Sequence, residues 1–307
     1  MEFNKRLIYK IIDNKIDRIE LNYLNNQELN TLIIALKLNT SLKGISLNDN
    51  KIKDITLLCK SLKNNSCLKY LDLYNNQIKD ITPLKCLSNS CPEELNLSDN
   101  KIEDISSLKF LLNSCLKALC LDNNQIKNLS LLKFLSNSCL TDLYLGNNQI
   151  EDIKPLKYLE NNSCLQILKL ENNQIKDITP IKFLSNSCLI DLSLSGNQIK
   201  YTTPLKFLSN SCLEVLNLSK NKIKDITFLK FLSNSCLRYL DLSKNKIKDV
   251  TLLKFLENNT CLKYLDLSKN KIKDITPLKF LSNSCLEDLD LSKNKIEDKK
   301  MFYRASP

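Results

Sequence analysis

Short stretches of alternating apolar and polar residues recur along the whole chain. In the segment LRYLDLSKN, Leu240 and Leu242 alternate with Tyr239, Asp241 and Ser243. A period of two is typical of a short strand with one buried face. A turn-rich tetrad follows, and then a segment such as ITPLKFLSN with apolar residues at helical spacing. Each unit is therefore predicted to contain a strand, a turn, a short helix and a return.

The helical segments carry signals for their two ends. Thr-Pro pairs precede the apolar residues in four units, at Thr82, Thr179, Thr203 and Thr276. Thr in this place is predicted to be the N-cap, with Pro at the first helical position. Leu84, Leu87 and Cys91 then follow at helical spacing. An Asn two residues before the Cys, such as Asn89 or Asn210, is expected to end the helix in the left-handed conformation.

The strand motif occurs in eleven copies that end on a regularly placed Asn. These are Asn50, Asn76, Asn100, Asn124, Asn148, Asn173, Asn197, Asn221, Asn245, Asn270 and Asn294. Most steps are 24 residues, and the two 25-residue steps contain an inserted Asn, in ENNSC and ENNTC. One such unit cannot bury its apolar face alone, whereas stacked units pair their strands into a parallel sheet. Because helices are wider than strands, the stack is predicted to curve with its strands on the inside.

The pattern LxxLxLxxNxI resembles the leucine-rich repeat, over about residues 16 to 296. The resemblance implies an α/β solenoid, a curved right-handed coil with a parallel β-sheet on the concave face and short helices on the convex face. The Asn-Ser-Cys-Leu entry is most similar to the intracellular, ribonuclease-inhibitor-like subclass, although these units are shorter. We expect one domain: a cap at 1–15, a degenerate repeat at 16–41 with Leu24 in place of the Asn, eleven repeats at 42–296, and a tail at 297–307. In that tail, Met301, Phe302 and Tyr303 are expected to cover the last unit.

Two columns of identical residues are assigned structural roles. The Asn column is expected to satisfy buried backbone groups in the turn, and the resemblance implies a ladder of these side chains from unit to unit. A Cys column recurs before the first Leu of each unit, at Cys67, Cys91, Cys115, Cys139, Cys164, Cys188, Cys212, Cys236, Cys261 and Cys285. A small apolar side chain suits the interior of a coil, so this column is predicted to pack in the core. The odd number of 13 cysteines and the lack of a signal peptide favour reduced thiols.

No feature of the sequence predicts catalysis or a cofactor. The chain has no His, no paired CxxC spacing for zinc and no Gly-rich phosphate loop. Cys59 and Cys86 are expected in helical segments. Cys120 is the one plausible reactive thiol, and it has no His to activate it. Acidic residues recur by period, which is typical of a surface.

The outward strand positions carry an acidic surface, although the chain has a formal charge of +11. Ten acidic residues against Lys169 give these positions a net charge of −9. Tyr is a favoured interface residue. We therefore predict a non-catalytic protein-binding module whose concave face contacts a protein partner with a basic surface. The predicted binding residues are Tyr70, Asp72, Tyr74, Asp142, Tyr144, Asp191, Tyr239, Asp241, Tyr264, Asp266, Asp288 and Asp290.

Two alternatives stay open at this point. Lysine columns follow the turn, lie on the helical segment, and line the C-terminal half at Lys220, Lys244, Lys269 and Lys293. They would suit nucleic acid or an anionic membrane, although the helical Phe residues are expected to be buried and unable to stack on bases. A repeat array with no dedicated partner is the second alternative. We expect a monomeric cytoplasmic protein, since neither a signal peptide nor a membrane-spanning run is present; secretion without such a signal is left open.

Overall fold

The protein is described from a computed structural model. The structure describes residues 5–111, 115–135, 138–209, 211–232, 236–257 and 259–297. The expected cap residues Met301, Phe302 and Tyr303 lie outside these residues, as does Asn210. The chain divides into two compact units, Met1–Gln149 and Ile150–Pro307, called unit 1 and unit 2 below. The expectation of a single domain stays a prediction.

Among its described residues, unit 1 contains six parallel strands and three α-helices. The strands are β1 Arg18–Glu20, β2 Gly44–Ser46, β3 Tyr70–Asp72, β4 Glu94–Asn96, β5 Ala118–Cys120 and β6 Asp142–Tyr144. Each pairs with the next in register. The helices are α1 Lys5–Ile12, α2 Asn26–Leu36 and α3 Thr56–Ser61, and 3₁₀ helices follow at Thr82–Leu87, Ser106–Phe110 and Ser130–Phe134.

Unit 2 repeats the same arrangement with 3₁₀ helices only, among its described residues. Its strands are β7 Ile167–Lys169, β8 Asp191–Ser193, β9 Val215–Asn217, β10 Tyr239–Asp241, β11 Tyr264–Asp266 and β12 Asp288–Asp290. Its 3₁₀ helices are Lys154–Leu159, Thr179–Leu184, Thr203–Leu208, Thr227–Phe231, Thr251–Leu256 and Thr276–Asn283. The strands again pair in parallel, in chain order. The α/β solenoid predicted from the repeats is confirmed.

Columns of Leu and Ile fill the interior of both units. In the coil around β10, Leu237, Leu240, Leu242 and Ile247 are all fully buried. Because side chains alternate across a strand, burying Leu240 and Leu242 directs Asp241 to the other side of the sheet. The alternation that predicts the strands therefore also fixes which residues lie on the outward face.

The Asn column forms the predicted ladder. Asn197 is buried, and its Nδ2 donates to the carbonyl oxygens of Leu194 (3.1 Å) and Ser195 (3.2 Å) in its own coil and Leu170 (2.9 Å) in the preceding one. Its Oδ1 accepts from the backbone N of Ile175 at 3.0 Å. One side chain thus satisfies backbone groups of two adjacent coils, and the same pattern recurs at Asn221 and Asn245.

The prediction that the Cys column packs in the core is wrong. Cys67, Cys139, Cys188, Cys212, Cys236 and Cys285 are exposed, Cys164 and Cys261 are half-buried, and Cys91 and Cys115 form a disulfide. In the extended segment before each strand, alternate residues point to opposite sides. The inner positions around Cys188 are held by Leu189, which is fully buried, and Ser187, whose Oγ donates to the carbonyl oxygen of Leu184 at 2.7 Å. The Cys between them therefore points outward, and the disulfide also contradicts the expectation of reduced thiols at that pair.

The inserted Asn of a 25-residue step takes the place of that inner Ser. Asn259 is buried, and its Oδ1 accepts from the backbone N of Cys261 at 2.8 Å and of Leu262 at 2.9 Å. Asn162 makes the same pair of bonds to Cys164 and Leu165. The inserted Asn lengthens the turn by one residue. Its side chain closes that turn by accepting hydrogen bonds from the backbone.

The predicted ends of the helical segments need two corrections. Thr82 and its equivalents are the first helical residues, and the residue before each makes no side-chain cap. In most units, including those of Thr82 and Thr179, the cap is the Asp two residues earlier: Asp177 Oδ1 accepts from the backbone N of Thr179 at 2.8 Å. Asn89 does not adopt the left-handed conformation. That conformation occurs just before the Asn column instead, for example at Asn172, Gly196 and Lys244.

The N-terminal helix α1 packs against α2. Ile11 of α1 is fully buried, and its carbonyl oxygen accepts from Nδ2 of the buried Asn39 at 2.7 Å. Leu24 donates its backbone N–H to Oδ1 of Asn50 at 2.6 Å, so the degenerate repeat still joins the Asn ladder. In the described part of the chain, no helix combines the length and apolar character needed to cross a membrane.

Candidate functional site on the strand face

The strand face is the side of each sheet opposite the buried Leu columns. Each repeat contributes three residues to it, two within the three-residue strand and one just after it. In unit 2 the register aligns Tyr239 with Tyr264 and then Asp288. It likewise aligns Asp241 with Asp266, followed by Asp290. Equivalent residues of successive repeats thus form a straight row across neighbouring strands.

Two tyrosines form a stacked pair in the C-terminal half of this face. The rings of Tyr239 and Tyr264 lie parallel, with centroids 4.4 Å apart, and both side chains are half-buried. Burial first, and then the carboxylates of Asp241 and Asp266, raise the pKa of Tyr239; burial and Asp266 also raise the pKa of Tyr264. Both hydroxyls therefore stay protonated at neutral pH and keep their hydrogen-bond donors.

The row Asp241, Asp266 and Asp290 has a structural role that the sequence analysis missed. One carboxylate oxygen of each accepts the backbone N–H of the Ser two residues later, at 2.9 Å for Asp241 and 2.7 Å for the other two. This bond closes the turn that follows the strand. It uses Oδ1 of each carboxylate. Asp241 is buried, whereas Asp266 and Asp290 are half-buried. The signal was present in the repeated Asp-Leu-Ser.

A polar groove brings the acidic row beside a row of lysines. The groove has a volume of about 490 Å³ and is lined by the Asp row, by the Ser row that follows it, and by Lys220, Lys244, Lys269 and Lys293. The positive charges of Lys244 and Lys293 repel that of Lys269 and lower its pKa. The C-terminal part of the strand face is therefore acidic on its strands and basic along the adjoining turn.

A second group of face residues lies in unit 1. Gly44 of β2 separates Arg18 from Tyr70, and because it has no side chain, Arg18 crosses it to place its guanidinium 5.0 Å from the centre of the Tyr70 ring. The Tyr70 hydroxyl donates to Oδ2 of the buried Asp72 at 3.2 Å. Burial and Asp72 raise the pKa of Tyr70 to about 12. These residues line a groove of about 460 Å³.

Arg18 was missed because it lies in the degenerate first repeat, where the Asn signal is absent. Tyr74 follows β3 and is 38% exposed. Its pKa is raised mainly by Asp99, a residue of the next turn.

The remaining predicted residues lie on the same face but outside these two groups. Asp142 and Tyr144 are half-buried on β6. Asp191 on β8 forms an ion pair with Lys169, and its Oδ1 is buried without a hydrogen-bond partner. The structure thus gathers the tyrosines and acids of β10–β12 into one patch and those near β3 into another, and it leaves Asp142, Tyr144 and Asp191 outside both.

The helical side carries an aromatic surface that the sequence analysis did not expect. Phe110, Phe134 and Phe207 are exposed, so the prediction of buried helical Phe is wrong at these positions. The ammonium group of the preceding Lys lies 4.9 Å from the ring centre at Phe134 and 5.0 Å at Phe110 and Phe207. The inner helical positions are filled by Leu instead, as Leu205 and Leu208 show.

The surroundings of three free thiols shift their pKa values. Burial and the surrounding acids raise the pKa of Cys120 to about 12, so it is not an activated nucleophile. A hydrogen bond with Cys59 lowers the pKa of the half-buried Cys86 to about 7, while the same bond and burial raise that of Cys59. No cluster of three or more potential metal ligands occurs among the described residues.

Comparison with known proteins places this chain among repeat proteins. A model of two leucine-rich repeats matches residues 40–86, 116–158, 140–186 and 236–280, and a single-repeat model matches residues 89–106, 209–226 and 282–299. Curated protein sequences give no significant match.

Three solved structures illustrate the structural similarity. The internalin InlF of Listeria monocytogenes is 27% identical, with a TM-score of 0.65, and the match covers 92% of this chain and 88% of that one. The internalin InlC2 of the same organism is 32% identical, with a TM-score of 0.54, over 68% of this chain and 83% of that one. A plant peptide hormone receptor, RGFR1 in complex with RGF2, shares the fold at 22% identity and a TM-score of 0.62, over 85% of this chain and 41% of that one.

Proposed function

Because this chain belongs to the leucine-rich-repeat family, we propose that it is a non-catalytic interaction module whose strand face binds a protein partner. Proteins built from these repeats generally serve as interaction modules without catalysis. The plant receptor that shares the fold was solved in complex with its peptide hormone. These likenesses support the class of function, and the residues of the strand face support the surface.

The observation that carries the proposal is the stacked pair Tyr239–Tyr264 with a row of carboxylates beside it. The two rings lie 4.4 Å apart and present a flat, rigid, half-exposed surface. Tyr side chains supply large contact areas at a low cost in conformational entropy, which is why they are frequent in binding hot spots. Asp241 and Asp266 lie in the adjoining row. This arrangement favours a partner segment that combines an apolar group with Lys or Arg.

The groove beside the patch indicates which charges the partner is expected to carry. Oδ1 of each Asp is used by a backbone bond and Asp241 is buried, so a basic partner group would contact Oδ2 of the half-buried Asp266 and Asp290. Lys244 and Lys269 line the same groove. They would favour a carboxylate of the partner next to the basic group that contacts the Asp row. We therefore propose a partner whose basic residues alternate with acidic ones across the groove, rather than a uniformly basic one.

Partner capture with variants of the face tests the proposal. The variant Tyr239→Ala/Tyr264→Ala removes the stacked pair, whereas Tyr201→Ala removes an aromatic side chain that is 79% exposed outside the strands. We expect the double variant to lose the proteins that the wild type captures from the native cell extract, because truncating a hot-spot residue typically costs about 2 kcal/mol or more. The control is expected to retain them. Equal recovery by all three proteins would contradict the proposal and would favour an array with no dedicated partner on this face.

A second candidate function is supported by the helical side. Exposed Phe residues next to Lys, as at Lys206–Phe207, combine a positive charge with an aromatic surface. This combination occurs in proteins that bind single-stranded nucleic acid. Retention of single-stranded RNA or of anionic vesicles that falls steeply with salt, and that is lost in Lys206→Ala/Phe207→Ala, would support it. The absence of any retention at low salt would exclude it.

A further inference from the structure

The Cys column forms a straight file of thiols along one edge of the strands. In unit 2 it contains Cys164, Cys188, Cys212, Cys236, Cys261 and Cys285, which are exposed or half-buried. In unit 1 two neighbours in the same column, Cys91 and Cys115, are joined by a disulfide with their Cα atoms 5.6 Å apart. That separation lies in the range that disulfides require. Successive positions of this column are therefore close enough to be bridged.

The same backbone hydrogen bond sets this spacing in both units. Two residues after the bonded pair, Lys117 N donates to the carbonyl oxygen of Glu93 at 2.8 Å. In unit 2 the equivalent bonds are Ile190 to Gln166 and Arg238 to Glu214, both at 2.8 Å, and Glu287 to Lys263 at 2.9 Å. Because the register two residues away is the same, we expect neighbouring cysteines of unit 2 to lie at a similar Cα spacing.

A file of thiols restricts how disulfides can form. Each Cys reaches only the Cys of the coil before or after it, and it can bond to one of them. Six thiols in a file can all be paired in one way, in which the first bonds to the second, the third to the fourth, and the fifth to the sixth. We propose that unit 2 forms the disulfides Cys164–Cys188, Cys212–Cys236 and Cys261–Cys285.

The lengths of the repeats favour the same pairing. Each proposed bond joins cysteines 24 residues apart, as the Cys91–Cys115 bond does. The shifted pairing would need Cys236 to bond to Cys261 across the 25-residue step. Within unit 2, the shifted pairing would also leave Cys164 and Cys285 without a partner of the same unit, so it yields one disulfide fewer there.

The reaction needs a disulfide oxidant, for which oxidised glutathione suffices. The thiolate of one Cys attacks a glutathione sulfur, which forms a mixed disulfide and releases one reduced glutathione. The neighbouring Cys thiolate then attacks the protein sulfur of that mixed disulfide and releases the second reduced glutathione. Two protein thiols are oxidised and one oxidised glutathione is reduced to two thiols. Exchange among neighbours corrects shifted pairs until no thiol is left over.

Peptide mapping of the oxidised full-length chain tests the pairing. The reduced protein is incubated with excess oxidised glutathione, its remaining thiols are blocked with N-ethylmaleimide, and it is digested with trypsin, which cleaves at lysines between each pair. We expect three linked peptides in the proposed pairing and no blocked Cys from residue 164 to residue 285. Peptides linking Cys188 to Cys212 or Cys236 to Cys261, or six blocked thiols, would overturn the proposal.

Two double variants with the same number of cysteines provide a matched control. Cys164→Ser/Cys188→Ser removes one complete pair, so two disulfides and no free thiol are expected in this region. Cys188→Ser/Cys212→Ser breaks two pairs, so one disulfide and two free thiols are expected. Circular dichroism of the reduced variants should match that of the wild type, since the substituted side chains lie at the surface. Equal thiol counts in the two oxidised variants would overturn the pairing of neighbours.

Discussion

At the residue scale, the Asn column joins adjacent coils through hydrogen bonds to their backbones. Each Asn uses both atoms of its carboxamide, so it satisfies backbone donors and acceptors of two coils at once. Asn197 makes four such bonds and is buried. Alanine cannot replace any of them, and buried groups left without a partner retain their full desolvation cost.

The variant Asn197→Ala is therefore expected to lower the free energy of unfolding by about 1–3 kcal/mol. Urea denaturation followed by circular dichroism measures this change. The control Gln198→Ala alters the next, half-buried residue and is expected to change the value by less than about 0.5 kcal/mol. An unfolding midpoint that is the same in Asn197→Ala and in the control would contradict the assigned role.

The ion pairs along the entry to the strands make a prediction for acid pH. Glu93 accepts from Lys117 at 2.8 Å and from Lys69 at 2.7 Å, and these contacts lower its pKa from 4.5 to about 2. Because the folded pKa lies below the unfolded one, Glu93 stabilises the fold above about pH 4.5, and this contribution is lost as the pH falls toward 2. Carbon NMR of the carboxyl group should show the low pKa and an upward shift in Lys117→Met. A Glu93 pKa near 4.5 in the wild type would rule out the pairing.

The two repeated columns show what the sequence could and could not establish at this scale. The Asn column was predicted correctly because a carboxamide that follows a strand is well suited to one role, hydrogen bonding to the backbone groups of the turn. The Cys column was placed on the wrong side, since Cys is compatible with both a core and a surface. The neighbouring Ser, whose hydroxyl takes the inner position at Ser187 and Ser211, contained the missing information. Exposed Cys and buried Ser reverse the usual preference of both residues.

At the scale of elements, each coil is closed by short polar contacts rather than by long helices. The strands were predicted from their period of two. The helical segments were found, but they are 3₁₀ helices in most repeats. Apart from the eight-residue helix Thr276–Asn283, these 3₁₀ helices have only five or six residues, because a 24-residue coil leaves little room for them. Their true caps, such as Asp177 and Asp249, were missed because Thr and Pro gave a stronger apparent signal. Left-handed residues such as Asn172 and Gly196 occur in Asn-Asn and Gly-Asn pairs of the sequence. Asn and Gly tolerate this conformation, so the signal was present there.

The variant Asp177→Ala tests the cap. It removes the bonds from the backbone N and the hydroxyl of Thr179, and we expect a loss of about 0.5 kcal/mol, the low end for an exposed cap. The bonds from Thr179 also lower the pKa of Asp177, so the difference between wild type and variant should vanish as the pH falls below about 4. Chemical denaturation at neutral and acid pH measures both effects. Lys176→Ala, a change at the adjacent exposed residue, should leave stability unchanged at either pH.

At the scale of the whole molecule, the chain presents two chemically different sides. The strand face displays Tyr and Asp, with lysines along the adjoining turn, and the helical side displays Lys beside exposed Phe. The net charge of +11 for the whole chain does not indicate that the two sides differ in charge. The repeat pattern predicted which residues lie on the strand face. Contacts between coils, such as the Tyr239–Tyr264 stack and the reach of Arg18 over Gly44, needed coordinates because they join residues about 24 or more positions apart.

Tyrosine footprinting with a captured partner tests the central claim, that the strand face is the binding surface. Hydroxyl-radical oxidation is followed by mass spectrometry at Tyr74, Tyr239 and Tyr264 on the strand face and at the exposed Tyr201 outside the strands. We predict that the partner slows oxidation of Tyr239 and Tyr264 several-fold and leaves Tyr201 unchanged. Protection of Tyr201 with no change at Tyr239 and Tyr264 would contradict the account.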